Sequence, residues 1–249
     1  MCLFLSAIRL TTKMIHAKIP HIKRTINTVR SGRFCMQNVW LIILCVAIGY
    51  LIGSVNMSVI VSKFAYKSDV RKHGSGNAGA TNMARVYGLF GGIIVLVCDF
   101  GKGILATAIA LAIGGTACGH VCMLFTAVAA IVGHAYPVFF RFKGGKGVTV
   151  GAAVALMIDY RLFLIIVCVF VLVFLIGKTV SVSSISAAGG LIVSSVAFYA
   201  FGLTDVGSMI ACIVSALLVI FLHRANIARL LKGEEKRFTF KRKTEKDKE

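Results

Sequence analysis

The chain has 249 residues, 58% of them hydrophobic, with a mean hydropathy of +0.88, two prolines and nine acidic residues. Such long, nearly uncharged apolar runs exclude a soluble globular domain and imply an all-α polytopic membrane protein. The formal charge of +19 would suit a nucleic-acid binder, but its placement excludes that class. Residues 1–35 hold seven Lys or Arg and no acid, the tail from Lys232 holds eight against five, and the body holds thirteen against four, mostly between apolar stretches. That is the pattern of loops and tails facing an anionic leaflet.

Residues 1–35 form a basic extension whose apolar piece, residues 1–10, is too short to span a bilayer. The first span is expected at 38–62, with Trp40 and Tyr50 as interfacial anchors. A loop led by Lys63, Lys67, Arg71 and Lys72 follows, then spans at 89–114 and 116–136. Residues 148–158 make a short apolar element, about 16 Å of helix, or half a bilayer. Asp159, Tyr160 and Arg161 separate it from a span at 162–177. A serine cluster (Ser181, Ser183, Ser184, Ser186) leads into a span at 185–203, Asp205 marks a turn, and 206–222 is the last span. Counting the short element gives seven spans, a membrane domain over 36–238 and a charged tail over 239–249.

Alternate loops then separate by charge. Lys63, Lys67, Arg71, Lys72, Arg85, Arg141, Lys143, Lys146 and Lys178 fall on the side of the tail, and only Arg161, with Asp159 and Asp205, falls opposite. The positive-inside rule puts the first group and the tail in the cytoplasm and the start of the first span outside. Seven cations ahead of that span oppose this orientation, so the extension reads as a surface-binding or targeting arm or as sequence upstream of a start at Met36, the second being favoured.

Three polar elements share the cytoplasmic side. In GSGNAGATNMAR (74–85), Gly74, Gly76 and Gly79 free the backbone, Ser75, Asn77, Thr81 and Asn82 supply short hydrogen-bonding groups, and Arg85 supplies a fixed cation. Such a stretch is a receptor for a phosphate or carboxylate, or an ordinary connecting loop. In FKGGKG (142–147), Lys143 and Lys146 flank Gly144 and Gly145, with Gly147 closing the run. Backbone amides and ammonium groups there suit an oxyanion, although the spacing is not that of a P-loop. In HRANIARLLKGEE (223–235), His223, Asn226 and Arg229 recur every third residue and share one helix side. Within the second span, Asp99 and Lys102 are an i, i+3 pair, either a structural ion pair or the lining of a polar cavity. His134, ahead of the second element, is either a general base or a hydrogen-bond donor that holds the loop. The eight cysteines lie mostly in apolar runs without a C-x-x-C pair, and read as packing residues. No metal site and no cofactor is expected.

GSGNAGATNMAR, GHAYPVFFRFKGGKGV and HRANIARLLKGEE, in this order, together with YLIGS at Tyr50 and LVCDFGKG around Asp99, resemble the cytoplasmic motifs of the PlsY family over residues 36–238. Members of that family are integral membrane acyl-phosphate:glycerol-3-phosphate acyltransferases. They make 1-acyl-glycerol 3-phosphate (lysophosphatidate), the first committed step of bacterial phospholipid synthesis, without acyl-CoA or acyl carrier protein. The resemblance implies a seven-span fold in the bacterial inner membrane, with its N-terminus outside and its active site and C-terminus cytoplasmic. It implies glycerol 3-phosphate, acyl phosphate, membrane lipid and the soluble enzyme that makes acyl phosphate as partners.

By motif position, Ser75, Arg85, Lys146, His223 and Asn226 become the catalytic and substrate-holding residues. Gly74, Gly76, Asn77, Thr81, Asn82, Lys143, Gly144, Gly145 and Gly147 become the phosphate-binding loops. Asp99, Lys102, His134, Arg229 and an acid at Glu234 or Glu235 become their support. Thr149-Val150 stands where the family more often has Ala-Thr, Val55-Asn56 replaces a usual Ile-Pro, and the basic extension lies outside the pattern. No Ser-His-Asp set, G-x-S-x-G elbow or His-x4-Asp dyad occurs, so a substrate phosphate oxygen is the expected proton acceptor, with His223 as second choice. A membrane transporter of phosphate esters is the rival reading, supported by the Asp99–Lys102 pair and the broken fourth span.

Overall fold

A computed structural model describes residues 39–238, all of them in helices and connecting loops. The basic extension, the candidate start at Met36 and the tail at 239–249 lie outside the described residues.

The first apolar segment breaks in two. Helix α1 (Val39–Ser54) ends at Val55, and α2 (Met57–Tyr66) starts from Asn56, whose Oδ1 accepts the Val59 N–H at 3.1 Å. An asparagine cap thus accompanies the break. A 3-10 turn at Val70–Lys72 leads to α3 (Ala80–Tyr87), an eight-residue helix within what the residue pattern marks as a loop.

Helix α4 (Leu89–Ala135) runs for 47 residues, about 70 Å if straight and more than twice the thickness of a hydrocarbon core. It therefore folds back, and it does so at Gly115, whose φ of 55° and ψ of −153° suit a residue without a Cβ. Its two arms correspond to the apolar segments Leu89–Thr116 and Cys118–Phe140. Helix α1 packs along α4 more extensively than any other pair packs. Gly49 and Gly53 of α1 and Gly133 of α4 lie against Thr126, Ala130 and Tyr50 respectively, so closely that a Cβ at Gly49 would stand 2.6 Å from Thr126 Cγ2. In lipid, where helices gain little from hydrophobic burial against each other, such close backbone approach supplies the van der Waals contact.

The second half comprises α5 (Val148–Ile158), α6 (Tyr160–Gly177), α7 (Val180–Ala200), α8 (Val206–Leu222) and α9 (Arg224–Leu231). Asp159 caps α6 and Asp205 caps α8 through their carboxylates. Ala155, Leu162, Ala187, Leu191, Cys212, Ala216 and Val219 join α5 to α8 in one apolar core. The outer faces expose Ile176, Leu175 and Phe201, as lipid contact requires. Helix α7 begins five residues before the expected position, so the serine cluster is helical. Ser183 and Ser184 donate to the carbonyls of Thr179 and Val180, four residues back, which satisfies their hydroxyls within an apolar helix. Among the described residues, five apolar segments are long enough to cross a membrane, α8 and α9 form a sixth bent by 55°, and α5 is the short one. They occupy the seven segments that the hydropathy marks.

Candidate active site

The first polar element is organised by Asn82, buried to 1% on α3. Its Nδ2 donates to the carbonyls of Val70 (3.1 Å) and His73 (3.0 Å), and its Oδ1 accepts the Ser75 N–H at 2.9 Å. Gly74 and Gly76, both at positive φ, turn the chain around this side chain. Asn77, Thr81 and Arg85 thereby face the same cavity as Ser75.

The second element works differently from its sequence reading. The amides of Gly144 and Gly145 do not face the cavity, because they donate to the carbonyls of Ala135 (3.1 Å) and His134 (3.0 Å). Those bonds dock the loop on the end of α4 and aim its last residues. Lys146 and Gly147 line the cavity with Val148 and Thr149. Among the described residues the amides of these four have no hydrogen-bond partner. The unbonded amides beside the cavity are therefore those of the loop's last two residues and the first turn of α5, where helical N–H groups have no carbonyl to meet. Gly76, Lys143, Gly144 and Gly145 lie off the cavity wall, as does Lys102.

The third element closes the cavity. The Lys146 ammonium donates to Asn226 Oδ1, and Asn226 Nδ2 donates to Glu235 Oε1 at 2.6 Å. Glu235 also accepts from Ser181 Oγ at 2.8 Å and from Arg229 Nε at 2.7 Å. Of the two acids at the motif's end, Glu235 thus carries these contacts, while Glu234 borders the cavity with its amide bonded to the Arg229 carbonyl. Burial disfavours ionisation of Glu235, but its hydrogen bonds from Asn226, Ser181 and Arg229 outweigh that and hold its carboxyl below the ordinary range. Burial likewise lowers Lys146 to about 8; Glu235 opposes the shift, and Arg229 and Arg85 add to it. Three cations converging on one space are poised for an anion.

Beneath the loop, Lys102 Nζ meets Val55 O at 2.8 Å, Asp99 Oδ1 at 2.8 Å and His134 Nδ1 at 3.0 Å. The ammonium donates to the Val55 carbonyl and to His134 Nδ1, and Asp99 lies beside it as an ion-pair partner. Both sequence readings of the pair hold at once: it is an ion pair, and Asp99 borders the cavity. The same geometry fixes two histidine tautomers. His134 Nδ1 faces the Lys102 ammonium and so accepts, which places its proton on Nε2. His223 lies with Nδ1 2.8 Å from the Val219 carbonyl, so Nδ1 holds the proton and Nε2 keeps its lone pair. Of these two, His223 is the one arranged to accept a proton.

The cavity measures about 370 Å³ and brings together Ser75, Asn77, Thr81, Asn82, Arg85, Lys146, Gly147, His223, Asn226 and Arg229. It continues past Leu96, Val148, Thr149, Phe170 and Ser184 into an almost wholly apolar groove of about 440 Å³ between the helices. Ser181 and the amides of Val148 and Thr149 are wall elements that the motif reading lacked. The serine cluster and the start of a short helix after a glycine run were their only traces in the sequence. Among the described residues no three His, Cys, Asp or Glu side chains converge as a metal would need.

An all-helical bundle of membrane-length apolar segments, with a cationic cavity opening into an apolar groove, is the build of an integral membrane protein. The family model of glycerol-3-phosphate acyltransferase matches residues 43–233. A glycerol-3-phosphate acyltransferase of Staphylococcus carnosus is 38% identical over 200 residues, covering 78% of this chain and 96% of that protein. Glycerol-3-phosphate acyltransferase 2 of Bacillus anthracis is 42% identical over 193 residues, covering 78% and 97%. Crystal structures of PlsY (YgiH), an integral membrane glycerol 3-phosphate acyltransferase, match with 35% identity over 80% of this chain and 96% of theirs. Their TM-scores are 0.71 for the glycerol 3-phosphate form and 0.69 for the lysophosphatidic acid form. The chain belongs to the glycerol-3-phosphate acyltransferase family. It is an acyltransferase of phospholipid synthesis, and the transporter reading falls away.

Proposed function

We propose that the protein transfers the acyl group of an acyl phosphate to the 1-hydroxyl of glycerol 3-phosphate, releasing 1-acyl-glycerol 3-phosphate and inorganic phosphate. The observation that carries this reading is one cavity with two anion-receiving walls, opening directly into an apolar groove. Ser75, Thr81 and Arg85, which line one wall of the cavity, receive the phosphate of glycerol 3-phosphate. Lys146 and the amides from Lys146 to Thr149 receive the phosphate of the donor. The acyl chain lies in the groove past Phe170 and Leu96, entered from the bilayer.

The chemistry asks little of the protein. An acyl phosphate is a mixed anhydride with a good leaving group, so holding the hydroxyl against the carbonyl and neutralising two phosphates supplies much of the rate. The hydroxyl oxygen bonds to the carbonyl carbon, the bridging oxygen leaves with phosphate, and the hydroxyl proton passes to a phosphate oxygen. The Nε2 lone pair of His223 is the alternative acceptor. The basic loops and the tail support a cytoplasmic orientation of this face, an outside start to the first span and residence in the bacterial inner membrane. The soluble enzyme that makes acyl phosphate would then deliver its product from the same side. The test is purified protein in detergent with glycerol 3-phosphate and, in parallel, acyl phosphate, acyl-CoA or acyl carrier protein thioester. Lysophosphatidate forms with acyl phosphate alone; formation only with a thioester contradicts the proposal.

A further inference from the structure

Arg71, which lies off the cavity wall, ties the segment ahead of α3 to the 142–147 loop. Arg71 Nη1 donates to the carbonyls of Phe140 (2.9 Å) and Lys143 (3.3 Å), 69 and 72 residues away in sequence. Its Nε and Nη2 are held by both oxygens of Asp69, the shortest contact being 2.7 Å, and the same carboxylate caps the Arg71 amide at 3.0 Å. Asp69 is lowered to about 2, first by its hydrogen bond with Arg71, so the clamp stays ionised. The segment that carries this clamp is pinned by Asn82, which holds the carbonyls of Val70 and His73 and the amide of Ser75.

The two carbonyls that Arg71 grips enclose Arg141 and Phe142, both at φ 58°. These are the only two consecutive non-glycine residues at positive φ among the described residues; Lys67 and Lys178 are single helix ends. L-residues resist this conformation, and a pair of them persists only where the surroundings hold it. Directly after the pair come Lys143, the docked amides of Gly144 and Gly145, and the receptor at Lys146 and Gly147.

We infer that Arg71 is a positioning residue: it holds the left-handed turn at Arg141–Phe142 and thereby sets the donor-phosphate receptor relative to the acceptor wall. This rests on the reading of Lys146–Thr149 as the donor-phosphate receptor. The role belongs to a guanidinium, because a lysine ammonium cannot reach two carbonyls while chelated by a carboxylate.

Steady-state kinetics on the full-length protein test it, with acyl phosphate and glycerol 3-phosphate varied separately. The wild type is measured first, and if it makes no lysophosphatidate from acyl phosphate, the functional reading itself fails. Given an active wild type, Arg71→Ala raises KM for acyl phosphate by about tenfold and leaves KM for glycerol 3-phosphate within about twofold. Arg71→Lys behaves like the alanine variant. Arg141→Gly alone leaves both constants within about twofold, since glycine accepts the turn without strain, and Arg71→Ala/Arg141→Gly recovers most of the lost donor affinity. Should Arg71→Ala not fold, Asp69→Asn gives the same split with a smaller change. Equal rises in both KM values, an unchanged donor KM, full activity of Arg71→Lys, or no recovery in the double variant overturns the inference.

Discussion

Lys146 is the residue on which the electrostatics of the site converge. Burial, with Arg229 and Arg85 nearby, brings it to about 8, and it is tethered to Asn226. Its charged form is present below that value and is lost as pH rises through it. Because a bound phosphate dianion restores the charge, the loss belongs to the free enzyme: kcat/KM for acyl phosphate declines above about pH 8, approaching tenfold per unit, while kcat changes little. Lys146→Arg removes this alkaline limb whatever its absolute rate, since a guanidinium stays charged. A pH profile of both constants checks it. The two histidines are separated by tautomer. His223→Gln retains kcat within about tenfold, whereas a lost general base costs about 10²–10⁴-fold. The His134 assignment was not legible in the sequence, because Lys102 reaches Val55 and His134 across 47 and 32 residues.

At the scale of elements, a few polar groups hold helices in positions that hydropathy leaves free. Asn56 caps α2 and also donates to the Ala78 carbonyl at 3.4 Å, joining the break in the first span to the 74–85 loop. Asn56→Ala is expected to cost about 1 kcal/mol, read as a lower thermal midpoint in detergent. Gly53→Val, at the α1–α4 contact, places methyl groups against the backbone of Ala130 and costs about 1–3 kcal/mol by overpacking. Glu235 fastens the end of α9 and the following segment to α7 through Ser181. The helical segments were readable because apolar runs in lipid must be helices and must be long. The second half of the 74–85 loop was not readable as helix, since its eight-residue helix is short and follows directly on a glycine-rich polar run. The direction of the FKGGKG amides was not readable either. Glycine spacing marks where a backbone can approach an anion, but which carbonyls absorb the Gly144 and Gly145 amides depends on the end of α4 lying beneath them.

For the molecule as a whole, three motifs spread over residues 74–235 meet in one cavity. Convergence was expected from their common side of the membrane, and Ser75, Arg85, Lys146, His223 and Asn226 do come together there. The apolar groove beside them is assembled from α4 to α8, and no single stretch of sequence announces it. Polar cavity and groove together suit a reaction that joins a water-soluble phosphate ester to a lipid chain. The most direct test uses acyl phosphate labelled with heavy oxygen in the C–O–P bridge, glycerol 3-phosphate and the purified protein, without CoA or carrier protein. Lysophosphatidate and inorganic phosphate should appear in equal amounts with the label entirely in the phosphate. Label in the lysophosphatidate ester, or no product until a thioester is added, would contradict acyl transfer from acyl phosphate.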